Sequence, residues 1–96
     1  MIKPTVGRVV LYTPLKTDGL VYTPGEKLAA IVCKVWSDTC VNLAVFDANG
    51  IATNRTSVPL IQEDNQPVPE GFYCEWMPYQ IGQAAKTEEL EKKLAQ

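Results

Sequence analysis

Apolar and polar residues alternate most regularly between Leu28 and Asp47, LAAIVCKVWSDTCVNLAVFD. Ala29, Ile31, Cys33 and Val35 alternate with Ala30, Val32, Lys34 and Trp36. A period of two assigns each set to its own face of a strand. Ser37, Asp38 and Thr39 interrupt the run with short side-chain oxygens that bond nearby backbone amides, the chemistry of a turn. The alternation then resumes, with Val41, Leu43 and Val45 on one face and Asn42, Ala44 and Phe46 on the other. The pattern predicts an antiparallel hairpin with one dry face, on which Ile31, Val35, Val41, Leu43 and Val45 are the expected core. Lys34 and Asn42 are expected opposite one another on its polar face. A lone hairpin is marginal in water and needs further strands to cover it.

Those strands are readable on either side. Val6–Tyr12 predicts the first, and Gly7 marks a bulge or a close backbone approach there. Residues 13–27 hold two Thr-Pro pairs, Asp18-Gly19 and Pro24-Gly25, around the short apolar piece Leu20-Val21-Tyr22. They predict a long excursion carrying a small hairpin of its own. Asn49-Gly50 predicts a tight type I′ turn into a strand over 51–58, with Pro59 at an edge. An acidic, proline-rich loop with Glu63 and Asp64 follows. FYCEW, residues 72–76, predicts the last strand, with Phe72, Cys74 and Trp76 on one face and Tyr73 and Glu75 on the other. From Gln80 the chain is rich in helix formers. Glu88 with Lys92, and Glu89 with Lys93, are four-residue pairs in the favourable order. Ile81, Ala85, Leu90 and Leu94 form a thin apolar stripe. The predicted architecture is all-β: a small five-stranded antiparallel barrel of SH3-like or OB-like type over residues 1–80, then a short C-terminal helical tail over 81–96. The edge near Ile51–Leu60 and the leucine stripe both call for cover, so a homo-oligomer is expected.

Composition narrows the function classes. Ninety-six residues with 46% apolar content suit one globular domain. A net charge of −2 argues against duplex nucleic acid, whose binding draws on a basic face. Histidine is absent, which removes the commonest general base and metal ligand. Neither catalysis, a metal nor a cofactor is expected. Cys33, Cys40 and Cys74 are odd in number and lack CxxC spacing, so they are expected to be free thiols. The N-terminus has no long apolar run and no segment has the length of a membrane span. A cytoplasmic protein without membrane contact is expected.

The side chains with binding chemistry are few. Trp36, Tyr73 and Tyr79 offer aromatic faces for a base or a partner side chain. Arg55 offers a planar fork for phosphate or carboxylate, flanked by Asn54, Thr56 and Ser57. Alternation assigns Arg55 and Ser57 to one face. Asn42 and Asp38 complete the candidate ligand-binding set, Asp38 as acceptor for a ligand hydroxyl. The structural counterpart of each is plain: tryptophans capping a barrel, a solvated edge strand, a turn aspartate.

GRVV near the start, the central LAAIVCKVWSDTCVNLAVFD, TSVPL, and FYCEWMPYQIGQAAK near the end resemble a family of short proteins encoded by tailed phages and prophages. Those proteins share an opening Gly-Arg-Ile/Val-Val, an Ala-Ala-Ile-Val run, a Val-Asn-Leu-x-Val-Phe piece and a closing aromatic-Trp-x-Pro segment. The resemblance spans roughly residues 6–86 and departs from the family in residues 13–27 and the tail. It implies a phage origin and a small β domain, and it transfers no catalytic residue. With the polar–aromatic mixture, it predicts a non-enzymatic phage accessory protein in the host cytoplasm. Its expected role is to sequester a small anionic ligand, a nucleotide immune signal such as a cyclic nucleotide. Arg55 is expected to neutralise phosphate, and its loss to weaken binding at least tenfold while leaving the melting temperature nearly unchanged. The alternative is an interaction or virion accessory protein that docks on a host or phage protein.

Overall fold

Five strands follow chain order around a closed barrel: β1 Val9–Thr13, β2 Leu28–Ser37, β3 Cys40–Phe46, β4 Ala52–Ile61 and β5 Tyr73–Glu75, before a helix, α1 Pro78–Leu94. This computed structural model describes residues 1–63 and 66–94, without the side chains of 84, 85, 87–89 and 91–93. Each strand pairs with the next, and β5 closes on β1. The order around the barrel is sequential, which separates the fold from the Greek-key order of the OB-like alternative. The pairings are antiparallel except one: β5 lies parallel to β4, with Leu60 opposite Cys74 and Ile61 opposite Glu75. A parallel pair needs a crossover rather than a tight turn, and the proline-rich segment after Ile61 supplies it.

The central hairpin forms with Lys34 directly opposite Asn42. Val41, Leu43 and Val45 are buried, as expected. Ile31 is only half-buried, and the inward set of β2 is Leu28, Ala30 and Val32. Cys33 is an extra residue between the pairs Val32–Leu43 and Lys34–Asn42. That bulge inverts the alternation, so Val35 packs against the core although it shares the apparent phase of Ile31. Val10, Tyr12, Val58, Leu60, Cys74 and Trp76 complete the interior. The turn into β4 is not type I′, which needs positive φ at two residues. Only Gly50 has positive φ there, 80°. The Asp47 carboxylate accepts from the Asn49 and Ile51 amides at 2.8 and 3.0 Å.

Residues 14–27 contain no hairpin. Leu20 and Tyr22 pack against the core, and the Val21 carbonyl accepts from the Ala48 amide at 2.8 Å. The excursion thus covers part of the barrel. Lys27 and Glu75 form an ion pair across its exit.

Helix α1 begins before Gln80 because Pro78 suits a first helical position and the Gln80 side chain accepts from the Met77 amide at 2.8 Å. The Gln80 amide also donates to the Val9 carbonyl at 2.9 Å, and Ile81 packs on the core. Further along, Leu90 and Leu94 are exposed. The molecule measures 52 × 24 × 22 Å. The expected Glu88–Lys92 and Glu89–Lys93 pairs, Ala85 and Asp64 lie outside the described residues. Among the described residues, no helix is long and apolar enough to cross a membrane.

Two buried acids make the fold sensitive to alkali. Burial, with the charge of Cys40 second, pushes the Cys74 thiol up to about 12. Burial, followed by the bond to Asp18, raises the Tyr12 phenol well above its ordinary range. Both hold their protons in the folded state while the unfolded chain releases them. Their contribution is therefore complete below the unfolded values and lost as pH climbs from about 9 for the thiol and about 10 for the phenol. Each group adds a slope of about 1.4 kcal/mol per pH unit within its window. Urea unfolding under reducing conditions should show the midpoint falling steeply between about pH 9 and 12. A midpoint that stays level would contradict this assignment.

Candidate functional site

The polar face of the central hairpin continues onto β4. Between the pairs Val41–Val58 and Leu43–Arg55, β4 carries one more residue than β3. The surplus is taken up at Thr56 and Ser57, and Ser57 adopts φ of 52°. A left-handed residue with a side chain costs about 1–2 kcal/mol. The compensation is local: the Ser57 amide donates to Asn42 Oδ1 at 2.8 Å. The same oxygen accepts from Trp36 Nε1 at 2.9 Å. Asn42 on β3 therefore ties a bulge on β4 to an indole on β2. Trp36 is 60% exposed, yet its ring is held in one orientation. Lys34 Nζ lies 5.2 Å from the ring centroid, a cation–π contact over one face. The other large indole, Trp76, is buried, and its Nε1 donates to Gln62 Oε1 at 3.1 Å.

Arg55 stands elsewhere. Its cross-strand partner is the buried Leu43, so it occupies the inward phase and its guanidinium meets the covering loop. Nε donates to Asp18 Oδ1 at 3.0 Å, Nη2 to the Asp18 carbonyl at 3.0 Å, and Nη1 to the Asn54 carbonyl at 2.8 Å. Nη2 is also 2.9 Å from Asp18 Oδ1. The buried Tyr12 hydroxyl donates to the other carboxylate oxygen at 2.6 Å. Burial opposes the Arg55 charge, but the bond and charge of Asp18 outweigh it and raise its pKa. The bulge also separates Arg55 from Ser57. They do not share a face, because Thr56 and Ser57 are both exposed between the inward Arg55 and Val58.

The remaining candidates are dispersed. Asp38 sits in the β2–β3 turn, where its backbone carbonyl accepts from Gln62 Nε2 at 2.7 Å. Tyr73 faces outward on β5 and lines two hollows. One is a cavity of about 160 Å³ shared with Gln62, Val68 and Ile81; the other is an open groove of about 590 Å³ shared with Pro14 and Leu15. Tyr79 is exposed in the first turn of α1. The structure thus joins Trp36, Asn42 and Ser57, adds Lys34, and leaves Arg55, Asp38, Tyr73 and Tyr79 apart.

No family model, curated protein or solved structure matches this chain.

The Trp36 cluster offers an oriented aromatic face, an ammonium and nearby hydroxyls. Lys34 has no carboxylate partner among the described residues. No group of residues that could hold a metal ion occurs among them either. Two residues of structural weight carry little signal in the sequence. Asp18 belongs to an ordinary Asp-Gly turn, and nothing in its surroundings points to a partner 37 positions away. Gln62 lies in a polar loop, yet its amide also exchanges two bonds with Ile2, at 3.2 and 2.9 Å.

Proposed function

We propose that the protein is a phage accessory protein that sequesters a small anionic ligand, a nucleotide immune signal, in the host cytoplasm. Trp36 is its stacking face and Lys34 its counter-charge. One observation carries this reading: a largely exposed indole is fixed by Asn42 before any ligand arrives. An ordered aromatic surface loses little freedom on binding. Base–aromatic stacking contributes about 1–3 kcal/mol, and a lysine charge adds attraction for phosphate. The mechanism is stoichiometric capture, with no chemical step. The cluster is an open surface, so enclosing a nucleotide calls for a second copy of the chain. Arg55 is left to its structural work at Asp18.

The exposed Leu90 and Leu94 of α1 favour a second reading, in which the helix docks the protein on a host or phage protein. Calorimetry separates the two. Titrating a panel of cyclic mono- and dinucleotides should release heat and quench the exposed Trp36. Trp36→Ala should weaken binding about 5- to 150-fold. If wild-type protein gives neither heat nor quenching with any member, the sequestration reading falls.

A further inference from the structure

We infer that Asn42 is a base-contacting residue of the Trp36 platform: it presents hydrogen-bond donors alone, and so bonds an acceptor on the edge of the ligand's base. The inference rests on the nucleotide-binding reading above and adds what that reading does not state.

An asparagine amide has an accepting and a donating end, and the two are assigned by their partners. Here both neighbours are N–H groups, Trp36 Nε1 and the Ser57 backbone amide, at 2.9 and 2.8 Å. Neither can accept. The oxygen must therefore face them, and both its lone pairs are engaged. The amino end is left with its two N–H donors, for which no acceptor occurs among the described residues. It is not sealed in the interior: the buried side-chain polar atom without a partner among the described residues is Thr13 Oγ1. The Asn42 donors consequently meet solvent beside the indole.

The neighbouring groups reinforce this sign. Lys34 is a donor with no accepting capacity, and Trp36 has spent its single N–H on Asn42. Because Asn42 grips the indole at Nε1, its amino group lies at the edge of the ring rather than over its face. A base stacked on the face away from Lys34 brings its own edge towards those donors. A carbonyl oxygen or an unprotonated ring nitrogen satisfies them; an exocyclic amine does not. Asp38, in the adjacent turn, is the nearby carboxylate in sequence, and it is not among the bond partners of Asn42.

Asn42→Asp tests the point because it replaces the outward donors by an acceptor. The new carboxylate also faces Lys34 across the strand pair, so the comparison is read in high salt, where that ion pair is screened. A carboxylate still accepts from Trp36 and Ser57, so the platform keeps its geometry. Calorimetric titration of wild type and variant with the same nucleotide panel should show affinity at least tenfold lower for the variant, with unchanged melting temperature and Trp36 emission. The added negative charge also repels an anion, but salt screens that effect. The tenfold ratio should therefore persist in high salt. Equal affinity, or a ratio that vanishes in salt, overturns the inference while leaving the stacking reading intact. A wild-type protein that binds no member of the panel overturns both. A second measurement needs no variant. Among analogues of the bound nucleotide in which single base acceptors are replaced by C–H, one should lose at least tenfold affinity for the wild type. Equal affinity for all of them also overturns the inference.

Discussion

Arg55→Ala is expected to cost the fold about 3 kcal/mol. The change removes four contacts to the Asp18 carboxylate, the Asp18 carbonyl and the Asn54 carbonyl at one stroke. More important is what it leaves behind. Asp18 is 11% exposed at its side chain and would keep its charge beside the buried Tyr12 hydroxyl with no cation near. Breaking a buried pair by removing one partner costs about 3–5 kcal/mol, chiefly through the stranded charge. Residual exposure of this pair places the expectation at the lower end. Arg55→Lys should recover only part, since an ammonium cannot span the carboxylate and two carbonyls together. Removing both partners should cost less than the two single losses combined, by about 1–3 kcal/mol. Urea unfolding of wild type, Arg55→Lys and the three variants that remove one or both partners gives the comparison. A single-variant loss under about 1 kcal/mol would make the pair an ordinary surface contact. This expectation replaces the sequence-based one, in which Arg55 served a ligand and its loss left the melting temperature alone.

Leu43→Ala should be comparably damaging, at about 2–5 kcal/mol. Leu43 is 2% exposed and lies on β3 between Val32 of β2 and Arg55 of β4. Truncation there withdraws apolar surface and opens a cavity that strands paired on both sides cannot easily close. The predicted signature is a lower urea midpoint with an unchanged dependence on denaturant, because the same surface is exposed on unfolding. A loss below about 1 kcal/mol would place Leu43 off the inner face. Together the two substitutions probe different supports of one barrel: its packed interior, and the ionic brace that holds the covering loop.

The sequence by itself determined the class of fold and most of its strands. Alternation over Leu28–Phe46 predicted the hairpin, the burial of Val41, Leu43 and Val45, and the pairing of Lys34 with Asn42. These follow from a local rule, the period of two, applied where the ladder is regular. The same rule placed Cys74 and Trp76 on one shared face, and both are buried.

Tertiary structure decided everything that depends on an irregular ladder or on distant partners. The extra residues at Cys33 and at Thr56–Ser57 invert the phase of their strands. A bulge has little local signature where it is stabilised by what it meets across the sheet, as Ser57 is by Asn42. That inversion moved Ile31 out of the core and separated Arg55 from Ser57. Arg55 looked free because its partner, Asp18, lies 37 residues earlier on a loop whose course the alternation does not describe. Trp36, Asn42 and Ser57 were legible as separate polar or aromatic residues. Only folding three strands side by side turned them into one site, since a single amide oxygen had to be placed within reach of two donors from different strands.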